Sequence, residues 1–165
     1  MKVNQLLENA QSTLFVPISP SGGGKSTLYQ KLKTQNPDLL VFSLDILRHE
    51  FYDPSDYAAA WRASNEDPQF KQRANDRFLE LIKTGKDIYV DNTSLTPKRR
   101  RFYLNAARQH GYKTIAYVFD VDLPTLIARQ KTRSDKSVPE EAVRQQYKSL
   151  VGPQAGEFDQ VVNVK

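Results

Sequence analysis

The chain's architecture is most legible in Ile18–Leu28, ISPSGGGKSTL. This is the phosphate-loop pattern G-x-x-x-x-G-K-[ST] with Ser19 in place of its first glycine. The apolar run Thr13–Ser19 reads as a strand leading in, and Lys25–Lys33 reads as a helix leading out. A strand–loop–helix setting is what turns such a short motif into a nucleotide site. Backbone N–H groups around Gly22, Gly23 and Gly24 can wrap phosphate oxygens, aided by the positive end of the helix. Lys25 is expected to reach the β- and γ-phosphates of ATP or another NTP. Ser26, followed by Thr27, would offer a hydroxyl to Mg²⁺. Ser19 sits at the strand exit, where a small side chain fits.

Beyond the loop, apolar runs alternate with helical patterns. Strands are expected over Leu39–Leu44, Asp87–Asp91, Thr114–Phe119 and Phe158–Val164. Helices are expected over Val3–Ala10, Gln69–Lys83, Pro97–His110, Leu123–Arg129 and Pro139–Leu150. Strands alternating with helices imply an α/β fold with a parallel sheet covered on both faces. At 165 residues, with no repeat or linker, the chain is expected to be one domain, 1–165, led by a helix over about residues 1–12.

Composition narrows the chemistry. There is no cysteine and there are only two histidines, so disulfides, thiol catalysis and histidine-rich metal sites are excluded. No apolar run approaches a membrane span, and the N-terminus lacks a signal core, so a cytoplasmic location without membrane attachment is expected (the host-cell cytoplasm for a phage-encoded chain). Residues 1–82 carry nine basic and ten acidic side chains, whereas residues 83–165 carry fifteen and nine. That asymmetry suggests either a polyanionic partner or a generally basic surface.

Three further stretches bear on the fate of a bound phosphate. The strand IYVDNTSL carries Asp91, Asn92 and Thr93 without a following water-positioning acid, which favours transfer over hydrolysis. In LLVFSLDILRHEF, Asp45 falls near the strand end, at the sheet edge where open α/β folds bind ligands. There it can accept a hydroxyl's proton or simply cap a helix, and Arg48 one turn later can pin a phosphate or lie on the surface. In LIARQKTRSDKSVP, Arg129 and Arg133 share a helix face if the helix continues, and could neutralise transition-state charge or remain solvated.

Taken in order, SGGGKST, Asp45-x-x-Arg48, Asp91-Asn92-Thr93 with Pro97, Arg99 and Arg100, Arg129-x-x-x-Arg133 and Val138-Pro139 resemble the phage-type polynucleotide 5′-kinases, in the zeta-toxin-like, AAA-type group of P-loop kinases. The resemblance covers about Leu14 to Leu150. It implies the P-loop kinase fold, with a five-stranded parallel sheet in the order 2-3-1-4-5 and an arginine lid over about residues 129–138. It implies Asp45 as general base, Lys25 and Arg133 as catalytic cations on the donor, and Arg129 as a second lid arginine. Arg48, Asp91, Asn92 and Thr93 would lie at the acceptor.

The activity so implied is Mg²⁺-dependent transfer of a γ-phosphate to a nucleic-acid hydroxyl, a polynucleotide 5′-OH first of all. The alternatives are a hydroxyl on a modified DNA base, on a nucleoside or on a small molecule, and, more remotely, a non-catalytic NTP-binding protein. No D-x-D-x-[TV] segment points to a second, phosphatase activity. Two features stay open from the residues alone. Tyr52, Tyr57 and Trp61 could stack on a base or pack the insert onto the core. Lys98, Arg99, Arg100 and Arg101 could track a phosphate backbone, though not all from one helix face.

Overall fold

The computed structural model describes residues 11–53, 55–133 and 138–165. The strands are β1 (Thr13–Ile18), β2 (Leu40–Phe42), β3 (Ile88–Val90), β4 (Lys113–Phe119) and β5 (Gln160–Val164). They form one sheet in the order β2-β3-β1-β4-β5, parallel throughout, as the family resemblance implied. Leu14 of β1 pairs with Ile88 on one side and Thr114 on the other. The central strand is buried from both faces, with Leu14, Val16 and Ile18 at most 1% exposed. That is why it reads as a continuous apolar run rather than an alternating one.

The described helices are α1 (Lys25–Gln35), α2 (Leu44–Phe51), α3 (Tyr57–Glu66), α4 (Pro68–Ile82), α5 (Pro97–Gln109), α6 (Leu123–Lys131) and α7 (Glu140–Ser149). Short polar residues start most of them. The side chains of Ser43, Asp56, Asp67, Thr96 and Asp122 each accept a backbone N–H from the first turn of α2, α3, α4, α5 and α6. Pro68, Pro97 and Pro124 sit in first turns, where a missing N–H costs nothing. On one face of the sheet Phe42, Phe78 and Tyr103 meet at inclined angles, with centroids 4.9–5.5 Å apart. Phe78 is fully buried, so its truncation to alanine should cost about 3–5 kcal/mol.

Most expected elements match within two residues. The strand expected over Leu39–Leu44 is shorter, Leu40–Phe42, and that difference matters for the site. Ser43 caps a helix there, accepting from the N–H of Ile46 at 3.3 Å. Asp45 therefore lies in the first turn of α2 and not at a strand end, and the capping role open to it belongs to Ser43. Helix α3 was not readable within the 51–70 insert. The helix expected over Val3–Ala10 lies outside the described residues. Among the described residues no helix is long and apolar enough to cross a membrane.

Because the strands run parallel, their carboxyl ends share one edge. At this edge the loop after β1 lies between the β3 and β4 exits, where the chain's connections diverge to opposite sides of β1.

Candidate functional site

The loop after β1 holds an anion-cradle backbone without a bound anion's help. Gly22 (φ 90°) and Gly24 (φ 114°) lie in the left-handed region that only glycine occupies freely. Gly24 is also the N-cap of α1, so the helix opens directly from the cradle. Ser19 is fully buried, and its hydroxyl donates to the Pro20 carbonyl at 2.8 Å. Its N–H donates to the Thr93 carbonyl at 3.1 Å, tying the loop to the β3 exit. Lys25 Nζ reaches back over the loop to the carbonyls of Ser19 and Pro20, each at 3.3 Å. Ser26 and Thr27 are exposed on the first turn. Behind them, Tyr89 of β3 donates to the Lys25 carbonyl at 2.7 Å and anchors the helix start.

The expected lid residues lie directly against this loop. Arg129 Nη1 donates to the Gly22 carbonyl at 2.9 Å, and Arg133 Nη1 to the Ser21 hydroxyl at 3.1 Å. Helix α6 ends at Lys131, so only Arg129 is helical; Arg133 lies just past the Thr132 cap, its N–H donating to the Gln130 carbonyl at 3.3 Å, and the two do not share a helix face as expected. Two glutamines complete the contact. Gln130, 4% exposed, reaches the Ser21 hydroxyl at 3.3 Å and accepts from the N–H of Val138 at 3.1 Å. Gln146 of α7 accepts from the N–H of Ser21 at 2.8 Å. Sequence reasoning missed both glutamines, for neither spacing nor charge distinguishes them from surface residues. Of the expected lid, residues 134–137 lie outside the described residues.

On the other side stand Asp45 and Arg48. They form an ion pair at 2.7 Å, and the Arg48 Nε donates to the Ser64 hydroxyl at 2.8 Å. The guanidinium also stacks over the Phe70 ring, 5.6 Å from its centroid. Arg48 is therefore 8% exposed, not a surface neighbour of Asp45. Tyr57 of α3 lies within the field of the Asp45 carboxylate. Burial and the Asp45 charge push its phenol up to about 12, while Arg48 and Arg133 pull the other way. Ser64 carried no sequence signal, because a serine in a helix interior usually marks nothing.

The β3 exit joins the two sides. Asp91 N–H donates to the Phe42 carbonyl at 2.7 Å, and Asn92 Oδ1 accepts the N–H of Leu44 at 3.1 Å. Asn92 Nδ2 is buried with no hydrogen-bond partner among the described residues. Asp91, Asn92 and Thr93, expected at the acceptor, thus fix α2 and the phosphate loop through their backbone and amide groups. The adjoining basic run divides: Lys98, Arg99 and Arg101 are exposed, while Arg100 is fully buried. Arg100 forms a two-pronged pair with Glu157, 2.9 Å at each prong, and donates to the carbonyls of Ser94, Val151 and Gly152. It cannot track a phosphate backbone. Among the described residues no group of three His, Asp or Glu side chains is placed to hold a metal ion.

A family model described as AAA domain matches residues 14–153. A protein of Autographa californica nuclear polyhedrosis virus, described as a bifunctional polynucleotide kinase/RNA ligase, is 27% identical over 147 residues. The match covers 84% of this chain but only 21% of that protein's length. A chain in the Pnkp1/Rnl/Hen1 RNA repair complex superposes with a TM-score of 0.67 at 18% identity, over 87% of this chain and 46% of its own. The gluconokinase from Sinorhizobium meliloti 1021 gives 0.63 at 16% identity, over 93% of this chain and 81% of its own. At those identities the two structures speak for the fold alone. The resemblance to polynucleotide kinases and the expected enzyme class, a kinase, agree with the viral relative. With the model matched from β1 to beyond α7, the chain belongs to the AAA domain family and has the P-loop kinase fold.

Proposed function

We propose that this chain, as a single P-loop kinase domain working in the cytoplasm, transfers the γ-phosphoryl group of ATP or another NTP to a hydroxyl on nucleic acid, first of all a 5′-OH end. The observation that carries this reading is the Asp45–Arg48 pair on α2, 2.7 Å apart, with the guanidinium held by the Ser64 hydroxyl. A hydrolase needs a positioned water. A transferase needs a base and an acceptor grip opposite the donor cradle, and this pair supplies both types of group.

The roles follow from chemistry. Gly22–Thr27 and Lys25 hold the donor phosphates, with Arg129 and Arg133 closing over them. The acceptor's adjacent phosphate takes over the Arg48 guanidinium, a bidentate match for its oxygens. Asp45 then accepts the proton of the attacking hydroxyl while the new O–P bond forms and the β–γ bridging O–P bond breaks, releasing NDP. The Tyr57 phenol, pushed up to about 12 by burial and the Asp45 charge, stays protonated at neutral pH beside that carboxylate. The exposed hydroxyl of Ser26 is a hard oxygen donor, and one hydroxyl beside phosphate oxygens suits Mg²⁺, which retains most of its waters. When bound, Mg²⁺ supplies charge neutralisation on the donor phosphates.

The gluconokinase likeness keeps a small hydroxylated acceptor as the second reading, and a hydroxyl on a modified DNA base as a third. The test is labelled phosphate transfer from γ-labelled ATP to a 5′-OH oligonucleotide, its 5′-phosphorylated twin, a duplex bearing hydroxymethyl pyrimidines, free nucleosides and gluconate. Label on the 5′-OH oligonucleotide alone is expected. Equal labelling of the 5′-phosphorylated twin, or label only on a small molecule, would overturn the acceptor assignment.

A further inference from the structure

Tyr52, Tyr57 and Trp61, three of the five aromatic side chains of the 51–70 insert, have different surroundings. Tyr52 packs on Phe70, with centroids 5.9 Å apart, and donates to Asp67 at 2.9 Å. Tyr57 is partly buried, within reach of the Asp45 charge. Trp61 is 48% exposed and belongs to none of the ring pairs among the described residues, although an indole is the largest apolar side chain available to a core. Its placement on α3 is specific. It lies four residues after Tyr57 and three before Ser64, so its side chain emerges beside both. Ser64 holds the Arg48 guanidinium, and Tyr57 lies within the field of the Asp45 carboxylate. The Ser64 hydroxyl accepts from Arg48 Nε and donates to the Trp61 carbonyl at 2.9 Å. One hydroxyl therefore fixes the guanidinium and the tryptophan backbone together. Ile46, next to Asp45, is likewise 46% exposed, leaving apolar surface beside the polar pair.

Resting on the kinase reading above, we propose that the Trp61 indole is a stacking platform for the base of the acceptor's terminal nucleotide. The phosphate belongs to Arg48, the 5′-hydroxyl to Asp45 and the base to Trp61. A sugar or sugar acid has no group for the indole to bind. Stacking is indifferent to base identity because every base has a π-face, so the site reads the presence of a base rather than its sequence.

Trp61 is the chain's single tryptophan, so its fluorescence reports on this position without interference. The experiment titrates the protein with a nucleoside 3′-monophosphate and with its abasic analogue, and measures phosphate transfer to both for the parental protein, Trp61→Phe and Trp61→Ala. The expected result is quenching by the nucleotide only. It also includes a KM for the nucleotide at least about five-fold higher in Trp61→Ala, the smaller end of what stacking one base contributes, with Trp61→Phe close to the parent. The abasic acceptor should show no such dependence on residue 61. Equal KM values for nucleotide and abasic acceptor in the parental protein, or a Trp61→Ala protein that prefers the nucleotide as strongly as the parent, would overturn the proposal. Failure of the parent to phosphorylate either acceptor would instead overturn the kinase reading on which the platform rests, and the absence of quenching would then count against the platform as well.

Discussion

The hydroxyl oxygen of Ser19 fills the space in which a side chain on Gly23 would begin: a Cβ built there falls 1.7 Å from it. The motif's missing first glycine is thus matched by a glycine four residues later. The φ of Gly23 is not left-handed, so the obstacle to a side chain is this contact and a milder approach to the Pro20 carbonyl at 3.3 Å. Gly23→Ala should lower ATP affinity about tenfold, the order expected of overpacking in a tight site. Ser19→Gly alone should change it less than about threefold, and should recover most of the loss when combined with Gly23→Ala. Calorimetric titration of the four proteins with a non-hydrolysable ATP analogue measures the coupling. Equal losses in both backgrounds would show that the two residues do not share that space.

Arg133 is expected to act on the donor, not merely to pack on the loop. Arg133→Ala should reduce kcat by about 10²–10³, the loss typical of removing a transition-state donor. Ser21→Ala removes the loop oxygen that Arg133 and Gln130 touch but leaves the guanidinium, and should keep kcat within about threefold of the parent. Steady-state kinetics on both variants separates the roles. Comparable losses would mean that loop anchoring dominates.

The Arg100–Glu157 pair holds the 151–157 segment to the start of α5. Arg100→Ala leaves Glu157 and three carbonyls without their donor and should destabilise by about 3–5 kcal/mol. Burial raises the Glu157 carboxyl, but hydrogen bonds from Arg100 and the Gln154 N–H outweigh it and hold it below its ordinary 4.5. A carboxyl lowered on folding stabilises fully above its unfolded value and loses that stabilisation as pH falls through the folded one. Melting temperature should therefore drop more steeply below about pH 4.5 in the parent than in Glu157→Gln, as differential scanning fluorimetry across acid pH would show.

The sheet order was legible because the phosphate loop, the buried β1 run and the motif order all point to one fold. Local chemistry marked helix starts at Ser43, Asp56 and Thr96 only once the strands were known. β2 is three residues long, and its apolar run continues into Leu44 and Ile46, so no periodicity separates strand from helix there. The loop lysine, Arg129 and Arg133 could be named from the motif and the resemblance, although Arg133 lies past the end of α6. Their partners could not. Ser64, Gln130 and Gln146 meet Arg48, Ser21 and Val138 through tertiary packing that leaves no local pattern. Arg100 shows the same limit, because one residue of a basic run was drawn inside by a glutamate 57 positions away.

The central claim is that Asp45 takes the proton from the acceptor hydroxyl. The direct measurement compares Asp45→Asn with the parent in two assays, ATP affinity by calorimetry and phosphate transfer to a 5′-OH oligonucleotide. Asparagine keeps the size and can still meet Arg48 and Tyr57, but it cannot accept the proton. The account predicts transfer slowed by about 10²–10⁴, the usual contribution of a general base, with ATP affinity within about twofold of the parent. Transfer at the parental rate would contradict it.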